Sequence, residues 1–187
     1  MDRHQFGAKY WPVPADPSGG RRGVIRPPRA DELEALLDIE RDAGRAFADI
    51  GMDEIARDDP GTVAELEVFR AAGRAWVAVG EADRPVAYLL TSVVDGCAHV
   101  DQVSVAPSHA RQGLGAALIE YLAERARVAL TLTTFRDVPW NAPYYARLGF
   151  TVVEPADQGP ELAALVRHEA ATIPGDAPRV AMRRAIS

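Results

Sequence analysis

Cysteine and lysine are almost missing from this chain. Cys97 and Lys9 stand alone in 187 residues, with four histidines beside them. A lone cysteine can close no internal disulfide, and no Cys/His cluster has the spacing of a zinc site, so no metal is expected. A reducing compartment suits that composition. No run approaches the roughly 18 apolar residues of a membrane span. The first twenty residues lack the apolar core of a secretory signal, so the sequence reads as cytoplasmic, without membrane contact. Positive charge is also short: 21 Lys and Arg against 27 Asp and Glu give a net charge of -6. That balance argues against a nucleic-acid partner, whose phosphates require a basic patch, and suits a cationic substrate better.

What remains is about one domain's worth of sequence. A chain of this size buries enough surface to fold without a disulfide or metal. Residues 1–22 hold three prolines and the run Ser18-Gly19-Gly20 with no period. They are expected to form a flexible extension, leaving 23–187 as the folded domain. Val24–Arg26 reads as a first strand. Leu33, Leu36, Leu37, Gly44 and Phe47 follow helical spacing, with Asp31 placed as N-cap, and a second helix is expected over 63–72. Strands follow at 76–79, 86–94 and 98–105, the last two joined by Asp95-Gly96, a strong hairpin signal. A long helix should begin after Gly113, burying Leu114, Leu118, Ile119, Leu122 and Ala126 and turning Glu120, Glu124 and Arg125 outward. Then come a strand at 128–135, a short helix at 141–148 closed by Gly149, a strand at 150–153, a helix at 161–171 and a last strand at 180–183. The pattern implies an α/β domain with a mixed sheet of about six to seven strands, flanked by helices.

The most informative segment is His99-Val100-Asp101-Gln102-Val103-Ser104-Val105, followed by Ala110-Arg111-Gln112-Gly113-Leu114-Gly115-Ala116. A strand feeds a glycine-bearing loop that opens a helix. The first amides of a helix lack intrahelical partners, and its dipole adds partial positive charge there. Such a terminus receives a phosphate or pyrophosphate. A dinucleotide-binding fold would set its first glycine directly after the strand. Here eight positions separate Val105 from Gly113, and Leu118 occupies the place of the third glycine.

The arrangement instead resembles the GNAT superfamily of N-acetyltransferases. The matching pieces are Val103-Ser104-Val105, the loop Arg111-Gln112-Gly113-Leu114-Gly115, and Tyr144-Tyr145-Ala146-Arg147-Leu148-Gly149-Phe150. Two departures stand in the motifs. Ala110 occupies a position usually held by Arg or Gln, and Asn141 lies four residues before Tyr145 where the family often has seven. The resemblance implies a mostly antiparallel sheet, the acyl-CoA N-acyltransferase fold, with acetyl-CoA as cosubstrate. It implies direct acetyl transfer to a primary amine of a small molecule or peptide. A noncatalytic acyl-CoA-binding regulator of the same fold is the alternative, and either would be a monomer or homodimer. The cofactor would meet Val103, Ser104 and Val105 through their main chain, then Arg111, Gln112, Gly113, Leu114, Gly115 and Ala116, with Asn141 beside it.

An amine of pKa near 10.4 is only about one part in a few thousand neutral at pH 7, so a proton acceptor or water path is needed. Asp101 is the first candidate, His99 the second, and Glu40, on the inward stripe of the first helix, the third; Glu40 also stands as a substrate contact. Tyr145 is the candidate proton donor to the departing thiolate. Its other reading is a core aromatic, just as Asp101 and His99 read otherwise as polar residues at a strand start.

Overall fold

The structure, a computed structural model, describes residues 24–173 and 177–186. The stretch expected as an extension, 1–22, lies outside the described residues. The elements are β1 (Ile25–Arg26), α1 (Leu33–Gly44), α2 (Asp53–Ala56), α3 (Val63–Ala71), β2 (Ala75–Val79), β3 (Pro85–Val94), β4 (Cys97–Val105), α4 (Leu114–Ala126), β5 (Leu130–Phe135), α5 (Ala142–Arg147), β6 (Thr151–Val152), α6 (Pro160–Thr172) and β7 (Arg179–Arg184). The seven strands form one sheet in the order β1-β2-β3-β4-β5-β7-β6. Its pairings are antiparallel at β1/β2, β2/β3, β5/β7 and β6/β7, and parallel at β4/β5. This is the mixed, mostly antiparallel sheet flanked by helices that the sequence implied. Among the described residues no helix is long and apolar enough to cross a membrane, and no group of three potential metal ligands forms.

Three local expectations are corrected. Helical structure between α1 and α3 includes a 3-10 segment, Arg45–Ile50, and the four-residue α2. Gly51, at φ 77°, separates them. Runs this short show no readable 3.6-residue period. Asp31 is not the cap of α1; it sits inside a 3-10 turn, Ala30–Glu32, and Glu32 accepts instead from the Arg29 amide at 2.6 Å. Arg125 does not face outward. It is half-buried, with its guanidinium carbon 3.4 Å from the centroid of the Tyr121 ring, because its aliphatic stem covers apolar surface more favourably than water would.

The described residues divide into two compact units, one of residues 24–91 and 102–125, the other of residues 92–101, 126–173 and 177–186. In the first, the inward stripe of α1 (Leu33, Leu36, Ile39) and Leu66 and Phe69 of α3 meet Ala75, Val77, Tyr88 and Leu90 of the sheet. Leu36 is fully enclosed. α3 starts at a capping box in which the Glu65 amide donates to Thr62 Oγ1 at 3.2 Å and the Thr62 amide to Glu65 Oε2 at 2.7 Å, an arrangement stabilising by about 1 kcal/mol.

In the second unit, Val94, Leu162 and Ala181 form the centre, with Val153 and Val166 against it. The Asp95-Gly96 turn has φ 48° and 75°, the doubly positive pattern of the tight hairpin turn. Asp95 then caps a helix far away in sequence. Its carboxylate accepts from the Glu161 and Leu162 amides of α6 at 3.1 and 2.9 Å, while its own amide donates to Glu161 Oε2 at 2.5 Å. The residue before α6 is Gly159, where a Cβ would lie 2.4 Å from that carboxylate. Gly159 therefore cedes the capping role to Asp95.

Candidate active site

The route from β4 to α4 is fixed by a 3-10 turn, Pro107–His109. The Ala106 amide donates to Val86 O at 2.9 Å, and His109 and Ala110 donate back to Ala106 and Pro107 at 2.8 and 3.2 Å. Beyond it the backbone is left-handed at Arg111 (φ 61°) and again at Gly113 (φ 80°). The first bond entering α4 runs from the Ala117 amide to Gly113 O at 2.9 Å. The amides of 111 to 116 consequently have no hydrogen-bond partner among the described residues. Arg111, Gln112 and Gly113 are exposed, Leu114 and Ala116 half-buried and Gly115 buried. Alternating left-handed residues turn successive N–H groups to one side, and the 13-residue helix behind them adds its dipole. The donor set suits a doubly charged anion such as a pyrophosphate.

β4 pairs with β5 over Ala98–Val100. The strand continues to Val105, with Val103 and Val105 half-buried and Ser104 buried.

The candidate acid–base groups have distinct surroundings. His99 is almost wholly enclosed, its Nδ1 sharing a hydrogen bond of 2.9 Å with buried Thr131 Oγ1 of β5. Burial pushes its pKa down to about 4. Asp101 is exposed and accepts from Ser92 Oγ of β3 at 2.9 Å. Tyr145 on α5 is half-buried, its ring packed edge-on against Tyr144 at 5.4 Å and Phe150 at 5.8 Å. Its hydroxyl makes no hydrogen bond among the described residues. Burial raises its pKa well above the usual phenol value, with Tyr144 adding to the shift. Asn141 occupies the N-cap of α5 but binds through its main chain, accepting from the Tyr144 and Tyr145 amides at 2.8 and 3.0 Å. Gly149, at φ 85°, ends the helix, with its own amide and that of Phe150 returning to Ala146 and Tyr145 at 3.1 Å each.

Glu40 lies half-buried on α1 and accepts a 2.5 Å hydrogen bond from the hydroxyl of Tyr88 on β3. Tyr88 was missed in the sequence reading. The signal was there: a phenol inside the apolar run Val86–Leu90 needs a polar partner once buried. Glu40, Val103–Val105 and the 111–116 loop belong to one compact unit, while His99, Asp101, Asn141 and Tyr145 belong to the other.

The Acetyltransferase (GNAT) family profile matches residues 33–150. The chain belongs to the GNAT acetyltransferase family, whose chemistry is acyl transfer. Among solved structures it is similar to a GNAT-family acetyltransferase of Staphylococcus aureus, at 12% identity and a TM-score of 0.65 over 88% of this chain and 99% of that one. It is also similar to the ribosomal-protein-S18-alanine N-acetyltransferase of Escherichia coli, at 19% identity and a TM-score of 0.60, covering 88% and 94%. A Mycobacterium tuberculosis protein solved in complex with CoA matches at 18% identity and a TM-score of 0.61, covering 88% and 99%. These likenesses concern the fold.

Proposed function

We propose that this chain moves an acetyl group from acetyl-CoA directly to a primary amine of a small molecule or peptide. The observation that supports it most is the row of main-chain amides from 111 to 116, left without partners at the head of α4. These amides and the Arg111 guanidinium hold the pyrophosphate, with Gln112, Leu114, Gly115 and Ala116 framing it. Because the grip is mainly backbone, Ala110 in place of a longer polar residue costs one side-chain contact and leaves the site intact. Val103–Val105 offer main-chain groups to the pantetheine arm, and Asn141 contributes from the start of α5. The bound coenzyme supplies the activated thioester; the remaining work falls to the protein.

Tyr145 is the proton donor. Burial keeps the hydroxyl protonated throughout the neutral range, so it can donate to the negative charge that develops on the departing sulfur. Asp101 is the proton acceptor. Taking a proton removes its charge, and its exposure lets that proton pass on to water. The same step at His99 would create a cation inside the core, which its surroundings oppose.

The test is release of free CoA thiol with a panel of polyamines, aminoglycosides, amino acids and peptides, set beside CoA binding followed by thermal shift. Turnover with any of these acceptors supports the proposal. Tight CoA binding with no turnover across the panel would point to the noncatalytic regulator instead.

A further inference from the structure

Four polar side chains meet inside the unit that carries the 111–116 loop. Tyr88 of β3 has no exposed surface and stands within the apolar cluster of Leu33, Leu36, Ile39 and Phe69. Its hydroxyl donates to Glu40 Oε2 at 2.5 Å. The side chains of Ser104 and Gln102 hydrogen-bond the same phenol, and Gln102 Nε2 donates to Ser104 Oγ at 2.8 Å. With its proton given to Glu40, the phenol oxygen is the acceptor toward Ser104 and Gln102. Glu40, Tyr88, Gln102 and Ser104 all belong to that one unit. Apolar side chains would fill the same volume without the cost of burying polar groups.

What the cluster holds is β4. Side chains alternate along a strand, so Gln102 and Ser104 project to one face and Val103 and Val105 to the other. Ser104 is buried and Gln102 half-buried. Tyr88 thus ties two alternate positions of β4 to β3 and, through Glu40, to α1. One residue past the strand, the Ala106 amide donates to Val86 O at 2.9 Å. Tied at 102, 104 and 106, the strand has little freedom to twist, and the peptide planes of 103–105 keep one direction. An arm that pairs with a strand needs N–H and C=O groups aimed within about 30° of its own. A strand ordered beforehand spares the ordering cost that a loose one would incur on binding.

We propose that Tyr88, through Ser104 and Gln102, sets the main chain of Val103–Val105 for the pantetheine arm of the coenzyme. Tyr88 is a positioning residue for coenzyme binding, and Glu40 fixes the direction of its hydroxyl. This role rests on the coenzyme-binding reading given above and adds to it the side chains that order the strand. It concerns the arm alone, because the phosphate-binding amides lie beyond the 3-10 turn Pro107–His109 that follows β4.

The experiment measures, by calorimetric titration, the binding of CoA and of adenosine 3′-phosphate 5′-diphosphate. The second ligand is the nucleotide half of the coenzyme: it keeps the diphosphate and lacks the arm. Tyr88→Phe removes the hydroxyl at the centre of the cluster. Ser104→Ala removes another at its β4 end and leaves in place the main chain that meets the arm. Each variant should weaken CoA binding by roughly fivefold or more, the equivalent of one net hydrogen bond, and keep nucleotide binding within about twofold of wild type. A general loosening of the core would not produce that selective loss, since it weakens both ligands together. Equal losses for the two ligands, or undiminished CoA affinity in either variant, overturn the positioning role. So does a wild type that binds CoA no more tightly than the nucleotide, because the arm then contributes nothing. A wild type that binds neither ligand overturns the coenzyme reading itself.

Discussion

The ionisation of His99 should appear in stability. The imidazole lies in the core with a pKa near 4, against about 6.5 in an unfolded chain. As pH falls through 6.5 the unfolded state takes up this proton first, so folding free energy is lost progressively down to about pH 4. Above pH 6.5 both states are neutral, and the group has no pH-dependent effect. Integrating the linkage with these two values gives a loss of roughly 2 kcal/mol between pH 7 and pH 4.5. For a domain of this size such a loss lowers Tm by about 5–10 °C. Carboxylates also titrate here, so the measurement is a double difference: denaturant unfolding of wild type and His99→Gln at both pH values. The variant keeps a polar partner for Thr131 and cannot take up the proton, so its stability should fall less than that of wild type by roughly that amount. A direct NMR titration of the His99 ring gives a second reading that needs no variant. Parallel stability curves, or a ring titration midpoint near 6.5, would refute the burial argument and return His99 to contention as the proton acceptor.

Four further outcomes are expected. Tyr145→Phe should slow turnover more than tenfold with little change in acetyl-CoA affinity; undiminished turnover removes the hydroxyl from the chemistry. Gly113→Asp should abolish CoA binding in a thermal-shift assay. It sets a negative charge beside the anion-binding amides and forces a side chain onto φ 80°, whereas normal affinity would count against the loop assignment. Asp95→Ala should cost about 1–2 kcal/mol in chemical denaturation by stripping two amides of α6 of their acceptor, and Asp95→Asn should recover part of it; an unchanged midpoint would show that the α6 terminus needs no partner. Leu36→Ala, deleting a side chain wholly enclosed between α1 and the sheet, should cost about 2–5 kcal/mol, with a smaller loss marking a core able to collapse around the gap.

The sequence by itself determined the elements whose cause is local. Alternation placed β3 and β4, Asp95-Gly96 placed the turn between them, and helical spacing placed α1, α3 and α4. Two motifs in order, the Arg111–Gly115 loop and the Tyr144–Phe150 run, sufficed for the family and hence for the fold. Those signals survive because each is written within a dozen residues. α2 and the 3-10 segments escaped, since four to six residues hold too few turns to show a period.

Only the tertiary structure decided what depends on distant partners. Asp95 becomes the cap of α6 across 66 residues, and Glu40 meets Tyr88 across 48. His99 and Asp101 stand two positions apart on one strand, the second and the first candidate in sequence. One is enclosed and its charged form opposed, the other open to water. A residue's chemistry follows its solvation and its neighbours, and the packing that sets both is a property of the folded chain.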